Sequence, residues 1–216
     1  MIDLKFMAHV DSGKCTGCNV CDQALTKCER ICPAGAITVA EKKASVDSDR
    51  CVDCQRCIDR CDMENAISRV SRPAEVTRYV NHTDVDQRQL KMFCAKAGIL
   101  PHMAICGCTR TTGQEAVAAI MKGAKTPEDV CAMTGLRAGC GMYCMTRIFQ
   151  VFEACGIALE DPKDRRWIKL TLSLADIPEE KVAQIDGVYP QCHVGDDWRN
   201  MTQRRTVPAK KEEPHV

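Results

Sequence analysis

Nine cysteines crowd into the stretch from Cys15 to Cys61, four more form two close pairs at Cys106/Cys108 and Cys140/Cys144, and Cys94, Cys131, Cys155 and Cys192 stand alone. Small secreted chains reach such a density by stapling themselves with disulfides. This chain fits that class poorly, because 216 residues can bury a core and seventeen is an odd number of thiols. The opening run Met1-Ile2-Asp3-Leu4-Lys5-Phe6 has no basic segment leading into an apolar stretch and no small-residue cleavage site, so a secretory signal is not expected. Cytoplasmic localisation is the expectation, and thiols clustered in a reducing compartment more often hold metal than each other.

Charge excludes other classes. With 30 basic and 29 acidic residues there is no basic face for nucleic acid. No stretch approaches eighteen apolar residues, so no membrane span is expected. Only 4% of residues are aromatic, low for a domain that fills its core with rings. Inorganic groups that cross-link the chain would replace part of that hydrophobic burial.

The first cysteine group contains a degenerate repeat. Lys14-Cys15-Thr16-Gly17-Cys18-Asn19-Val20-Cys21 answers to Arg50-Cys51-Val52-Asp53-Cys54-Gln55-Arg56-Cys57, and Cys32-Pro33-Ala34-Gly35-Ala36-Ile37-Thr38-Val39 answers to Cys61-Asp62-Met63-Glu64-Asn65-Ala66-Ile67-Ser68. Each half reads as a cysteine loop, a short helix and a strand, which together predict a small two-fold α+β unit. Residues 84 to 158 read as mostly helical. Leu90, Phe93, Cys94 and Ala97 have helical spacing over 84–97, as do Val117, Ile120 and Met121 over 114–121, with Gly123 as a stop. Thr126 and Pro127 open a third helix as N-cap and first helical residue, and a fourth runs from Cys144 to Ala154. Beyond Asp161 the signal weakens to a short strand over 167–174, a helix over 178–185 and a polar, disordered tail from Met201. The predicted fold is therefore α+β, with domains at 1–75 and 76–160 and an extension at 161–216 in which Trp167 and Trp198 supply docking surface.

Three thiolates closely spaced on one loop can wrap one corner of a cubic iron–sulfur cluster, and the spacing two, two, three and then proline is the bacterial ferredoxin pattern. Cys51, Cys54, Cys57 and Cys61 meet the spacing but have Asp62 in place of proline. In the first half, Cys28-Glu29-Arg30-Ile31-Cys32-Pro33 supplies the final gap and the proline, and Cys15 and Cys18 the opening pair. The third ligand is either Cys28, after a lengthened loop, or Cys21. Cys28 is favoured because it keeps the geometry by which the last cysteine crosses between clusters. The stretch resembles the bacterial two-cluster ferredoxins. The resemblance implies one [4Fe-4S] cluster on Cys15, Cys18, Cys28 (or Cys21) and Cys61, and another on Cys51, Cys54, Cys57 and Cys32. Paired zinc sites are the rival, but zinc leaves the third cysteine of each triplet unexplained.

Cys106-Gly107-Cys108 and Cys140-Gly141-Met142-Tyr143-Cys144 are separated by 31 residues that read as two helices. Four thiolates brought together this way suit a [2Fe-2S] rhomb, with each sequence pair taking one iron. The segment resembles the bacterioferritin-associated-ferredoxin-like [2Fe-2S] domains, through Glu115-Ala116-Val117-Ala118-Ala119-Ile120, Gly123-Ala124-Lys125-Thr126 and Val130 to Gly135. It departs from them at Arg137-Ala138-Gly139, where a more glycine-rich turn is usual. The resemblance implies that Cys106, Cys108, Cys140 and Cys144 are the ligands. The longer closing spacing is the version found in electron-transfer subunits of flavin-dependent dehydrogenases. Cys94, Cys131, Cys155 and Cys192 read as small buried hydrophobes.

No glycine-rich phosphate loop and no nucleophile with a partnered base can be read, so no catalytic residue is expected. Two cluster-binding modules without a catalytic motif predict an electron-transfer subunit. Its expected partner is a catalytic oxidoreductase subunit of the flavoprotein kind, with room for a second electron carrier. The alternatives are a free-standing carrier that docks transiently, or a cluster-based sensor or scaffold.

Overall fold

The computed structural model describes residues 2–17, 27–61, 65–159, 174 and 177–206. The chain divides into two compact units, Met1–Lys169 and Leu170–Val216.

The first unit opens with strand β1 (Ile2–Val10), which buries Leu4 and Ala8. Helix α1 (Lys27–Ile31) leads to a hairpin of β2 (Ile37–Ala40) and β3 (Lys43–Val46), and helix α2 (Arg56–Arg60) leads to β4 (Ile67–Arg78). β1 pairs antiparallel with β4, from Val10 opposite Ile67 to Ile2 opposite Arg78. The register shifts between Leu4, which faces Val76, and Phe6, which faces Ser71. Pro73 falls in this irregularity, where its missing N–H leaves no gap in the ladder.

The loop–helix–strand repeat is present twice. Asp11 N donates to Ala66 O and Asp47 N to Ala36 O, each at 2.8 Å, so each half is tied to the strand entry of the other. Below the aspartates the two cysteine loops turn alike, with Cys15 N on Asp11 O at 2.9 Å and Cys51 N on Asp47 O at 3.0 Å.

Helices follow their local signals. α3 (Gln87–Lys96) is capped by Asp86, which accepts from Arg88 N and Gln89 N, and it buries Leu90 and Cys94. α4 (Gly113–Met121) and α5 (Pro127–Thr134) both open on capping boxes, Thr112 with Glu115 and Thr126 with Asp129. α5 stops at Gly135, whose φ of 76° only glycine adopts freely. α6 (Met145–Ala154) starts just after Cys144. Val117, Val130, Leu136, Ile148 and Phe152 are all essentially inaccessible and form the helical core.

The second unit holds α7 (Glu179–Val188), a 3-10 turn at Pro190–Cys192 and α8 (Val194–Thr206). Val182 is buried, and the half-buried Trp198 donates its indole N–H to Ile177 O at 2.9 Å. Two expectations change here: the chain from Met201 is helical as far as Thr206, continuing α8, and Cys192, expected to be a small buried hydrophobe, is exposed. The expected strand over 167–174, with Trp167, lies outside the described residues except for Leu174. Among the described residues no helix is long and apolar enough to cross a membrane.

Candidate metal centres

Cys32, Cys51, Cys54 and Cys57 line one pocket together with Ile37 and Val52. Three come from the second cysteine loop and α2, and Cys32 arrives from the end of α1 in the other half. The two-fold arrangement of the halves brings Cys32 to the second loop. The turn that carries Cys54 is sharp, with Asp53 and Gln55 both left-handed at φ of 49° and 62°. Asp53 is held in it by Arg69 of β4, through a two-pronged pair at 2.9 and 2.6 Å. Backbone amides turn toward sulfur as well: Ala36 N donates to Cys32 Sγ at 3.2 Å, and Ala44 N to Cys15 Sγ at 3.3 Å.

Long cations pin both cysteine loops from outside, at equivalent points of the repeat. Lys43 Nζ of β3 donates to Ser12 O at 2.7 Å and Cys15 O at 2.6 Å. Arg72 of β4 donates to Ser48 O at 2.9 Å and Cys51 O at 2.7 Å, and its Nε reaches Phe6 O at 3.0 Å. Spacing arguments miss these clamps. The loops they grip are alike upstream of the cysteines, Asp11-Ser12-Gly13-Lys14-Cys15 against Asp47-Ser48-Asp49-Arg50-Cys51, but Lys43 and Arg72 lie outside that repeat.

Cys28 is buried in the same core as Cys15, with Cys61 partly buried against it. Cys18 and Cys21 lie outside the described residues. Cys131, which reads in the sequence as an inert hydrophobe, is indeed inaccessible. It nevertheless sits in the core that contains Cys32, Cys51 and Cys57.

The donor chemistry at the pocket calls for a positive occupant. Burial pushes the Cys54 thiol up to about 11 and the Cys57 thiol up to about 12, where Cys54, Cys32 and Cys51 add like-charge repulsion. Such thiols become thiolates only when cationic metal compensates them. Among the described residues no three His, Cys, Asp or Glu side chains converge closely enough to hold a single metal ion. Four thiols line the pocket, the soft donor set that iron–sulfur clusters take.

In the helical region the second group assembles between the start of α4 and the start of α6. The Cys106 sulfur meets Cys144, and the Cys140 sulfur meets Cys108, so contacts run across the two motifs and not within each. The two loops thus face one another. The hydrogen bond from Cys144 pulls the Cys106 thiol down to about 4 despite its burial, helped by Thr109 and the Arg137 amide, and the same contact holds Cys144 in its protonated form. The Met142 and Tyr143 amides lower Cys140 in the same direction. The four cysteines meet here among backbone N–H groups, a setting that suits an iron–sulfide core.

Arg137 stands in the turn expected from the sequence to be richer in glycine, and its φ of 82° lies in the left-handed region that favours glycine. The strain is offset by an ion pair buried on both sides, Arg137 Nη1 to Glu128 Oε1 at 3.0 Å. The rim of the site is open. Cys108 and Cys140 are exposed, and beside them Met142 and Tyr143 are 80% and 83% accessible.

Residues 104–154 match the BFD-like [2Fe-2S] binding domain, which places this region in the class of small iron–sulfur modules. A 59-residue stretch of the chain is 43% identical to a subunit of the ion-translocating oxidoreductase complex of Methanosarcina acetivorans, covering 27% of this chain and 19% of that protein. The chain thus spans about a fifth of the length of the curated relative it matches. No solved structure matches the chain.

Proposed function

We propose that the chain is an iron–sulfur electron-transfer subunit of a larger oxidoreductase. Cys15, Cys18, Cys28 and Cys61 hold one [4Fe-4S] cluster, Cys32, Cys51, Cys54 and Cys57 a second, and Cys106, Cys108, Cys140 and Cys144 a [2Fe-2S] cluster. Cys28 takes precedence over Cys21 because it is buried in the same core as Cys15. In the last site each sequence pair, Cys106 with Cys108 and Cys140 with Cys144, takes one iron. The observation that carries the reading is the pocket where Cys32 crosses from one half to join Cys51, Cys54 and Cys57.

When bound, each cluster accepts or releases one electron. The chain's own residues set the surroundings. Lys43 and Arg72 fix the loops, backbone amides face the sulfurs, and apolar Ile37 and Val52 keep water from the buried pocket. The exposed Cys108/Cys140 rim with Met142 and Tyr143 is the place where a partner approaches. That the partner is an oxidoreductase is supported by the name of the Methanosarcina relative. That it carries flavin is supported by the closing spacing of Cys140 and Cys144.

Anaerobic purification or reconstitution tests the reading. About ten irons per chain, with two [4Fe-4S] signals and one [2Fe-2S] signal in EPR of the reduced protein, are expected. A colourless, iron-free chain under those conditions refutes it.

A further inference from the structure

Arg56 stands between Cys54 and Cys57 at the first position of α2, and it touches both cysteine groups. Its backbone N–H bonds to the Cys54 sulfur. Its guanidinium reaches across to the helical region, where Nη2 donates to Gly139 O. The peptide that supplies this carbonyl is the one whose N–H, on Cys140, points at Cys108 Sγ at 3.5 Å. One residue is thus bonded directly to a sulfur of the buried pocket and, through one peptide group, to an exposed sulfur of the second site.

The fit around this bridge is tight. A Cβ on Gly139 would strike the Cys108 sulfur, and one on Gly141, where φ is 70°, would strike the Arg56 guanidinium. The 139–141 segment therefore has glycine on both sides of Cys140, the only residue type that lets the backbone lie between the two groups. A second link stands nearby, where Arg50 pairs with Asp129 of α5 at 3.0 Å while its Nε holds Ala34 O at 2.9 Å. Cys131 and Ala132 of α5 complete the seam, packed into the core around Cys32, Cys51 and Cys57.

We propose that Arg56 is a positioning residue that joins the Cys32/Cys51/Cys54/Cys57 site and the Cys106/Cys108/Cys140/Cys144 site into one electron path. The inference rests on the cluster reading above and adds an order to it: the buried pocket next to Arg56 is the immediate neighbour of the exposed site, and the Cys15 site lies one step further in. A single electron moves between the neighbours, so one is oxidised by one as the other is reduced by one, with no bond broken and no proton required. The guanidinium acts in two ways. It polarises the Gly139–Cys140 peptide and so strengthens the N–H bond onto Cys108, and its charge favours the more negative, reduced state of the site it faces.

The test uses the full chain, loaded anaerobically and reduced with dithionite. In the wild type, the [2Fe-2S] EPR signal is expected to show magnetic interaction with one [4Fe-4S] centre. In R56Q, with iron content unchanged, the [2Fe-2S] site poised at a fixed potential is expected to shift about three- to tenfold toward its oxidised form. R56K should restore part of the shift, because charge returns without the planar fork, and R60Q on the exposed side of α2 should show none. A loaded wild type with magnetically independent signals overturns the proposal alone, as does a loaded R56Q with an unchanged poise. A wild type that binds no iron overturns the underlying reading together with it.

Discussion

In the strand-bearing region, cysteine loops with little regular structure are held in shape by long cations that grip their carbonyls, Lys43 on one loop and Arg72 on the other. In the helical region, the cysteines sit in the turns that lead into α4 and α6, and a core of Val117, Leu136, Ile148 and Phe152 fixes where those helices begin. The first arrangement buries its thiols and pushes Cys54 and Cys57 up, whereas the second leaves Cys108 and Cys140 at the surface and pulls Cys106 down. The difference teaches that a pinned loop is a local device, sensitive to one side chain, while a helix-end site draws on a whole core. It also separates a shielded site from an accessible one.

The sharpest way to break this contrast is to remove a pin. Arg72→Met deletes three charged hydrogen bonds to carbonyls and is expected to cost about 2–3 kcal/mol after solvent compensation. Iron should be lost first from the Cys51 site, while the [2Fe-2S] signal persists. Urea unfolding with iron analysis checks both, and simultaneous loss of all signals would show that the two regions do not differ in this way. The matching change on the helical side is smaller. Thr112→Ala removes a capping-box partner of α4 and is expected to cost about 1 kcal/mol, read as a lower urea midpoint, without selective iron loss.

The smallest effect concerns the seam between the regions. Burial alone would raise the Asp129 carboxyl, but Thr126, the Lys125 amide and Arg50 together hold it below the usual carboxylate range. Its folded-state pKa is therefore depressed, so its contribution is complete above the unfolded value of about 3.9 and fades as pH falls through the lower folded value. Asp129→Asn should lose stability near neutral pH by less than about 1 kcal/mol, given the partial exposure of the pair. The gap to the wild type should close below about pH 4. Thermal melts across that range measure it, and a gap that widens in acid would contradict the assignment.

Much of the helical region could be read from the chain, because its signals are local. Thr126 with Pro127 marks the start of α5, Gly135 its end, and Cys144 the approach to α6. The strand region was legible in its repeat but not in its clamps. Lys43 and Arg72 are 28 and 21 residues from the cysteines they hold, and nothing in their immediate neighbours distinguishes them from surface cations. β1 is a similar case, since its partner β4 begins 57 residues after it ends and alternation alone does not reveal the pairing. Arg56 has no local signal beyond its place between two expected ligands. Its role depends on Gly139, which only tertiary structure brings near.

The placing of Cys131 and Ala132 has a consequence for recombination between modules. A free-standing helical domain would present that face of α5 to water, where a bare thiol invites oxidation. Shuffling this domain onto another carrier would therefore require either a host that covers the same spot or polar replacements there. Inheritance of the two regions as a pair is the simpler route.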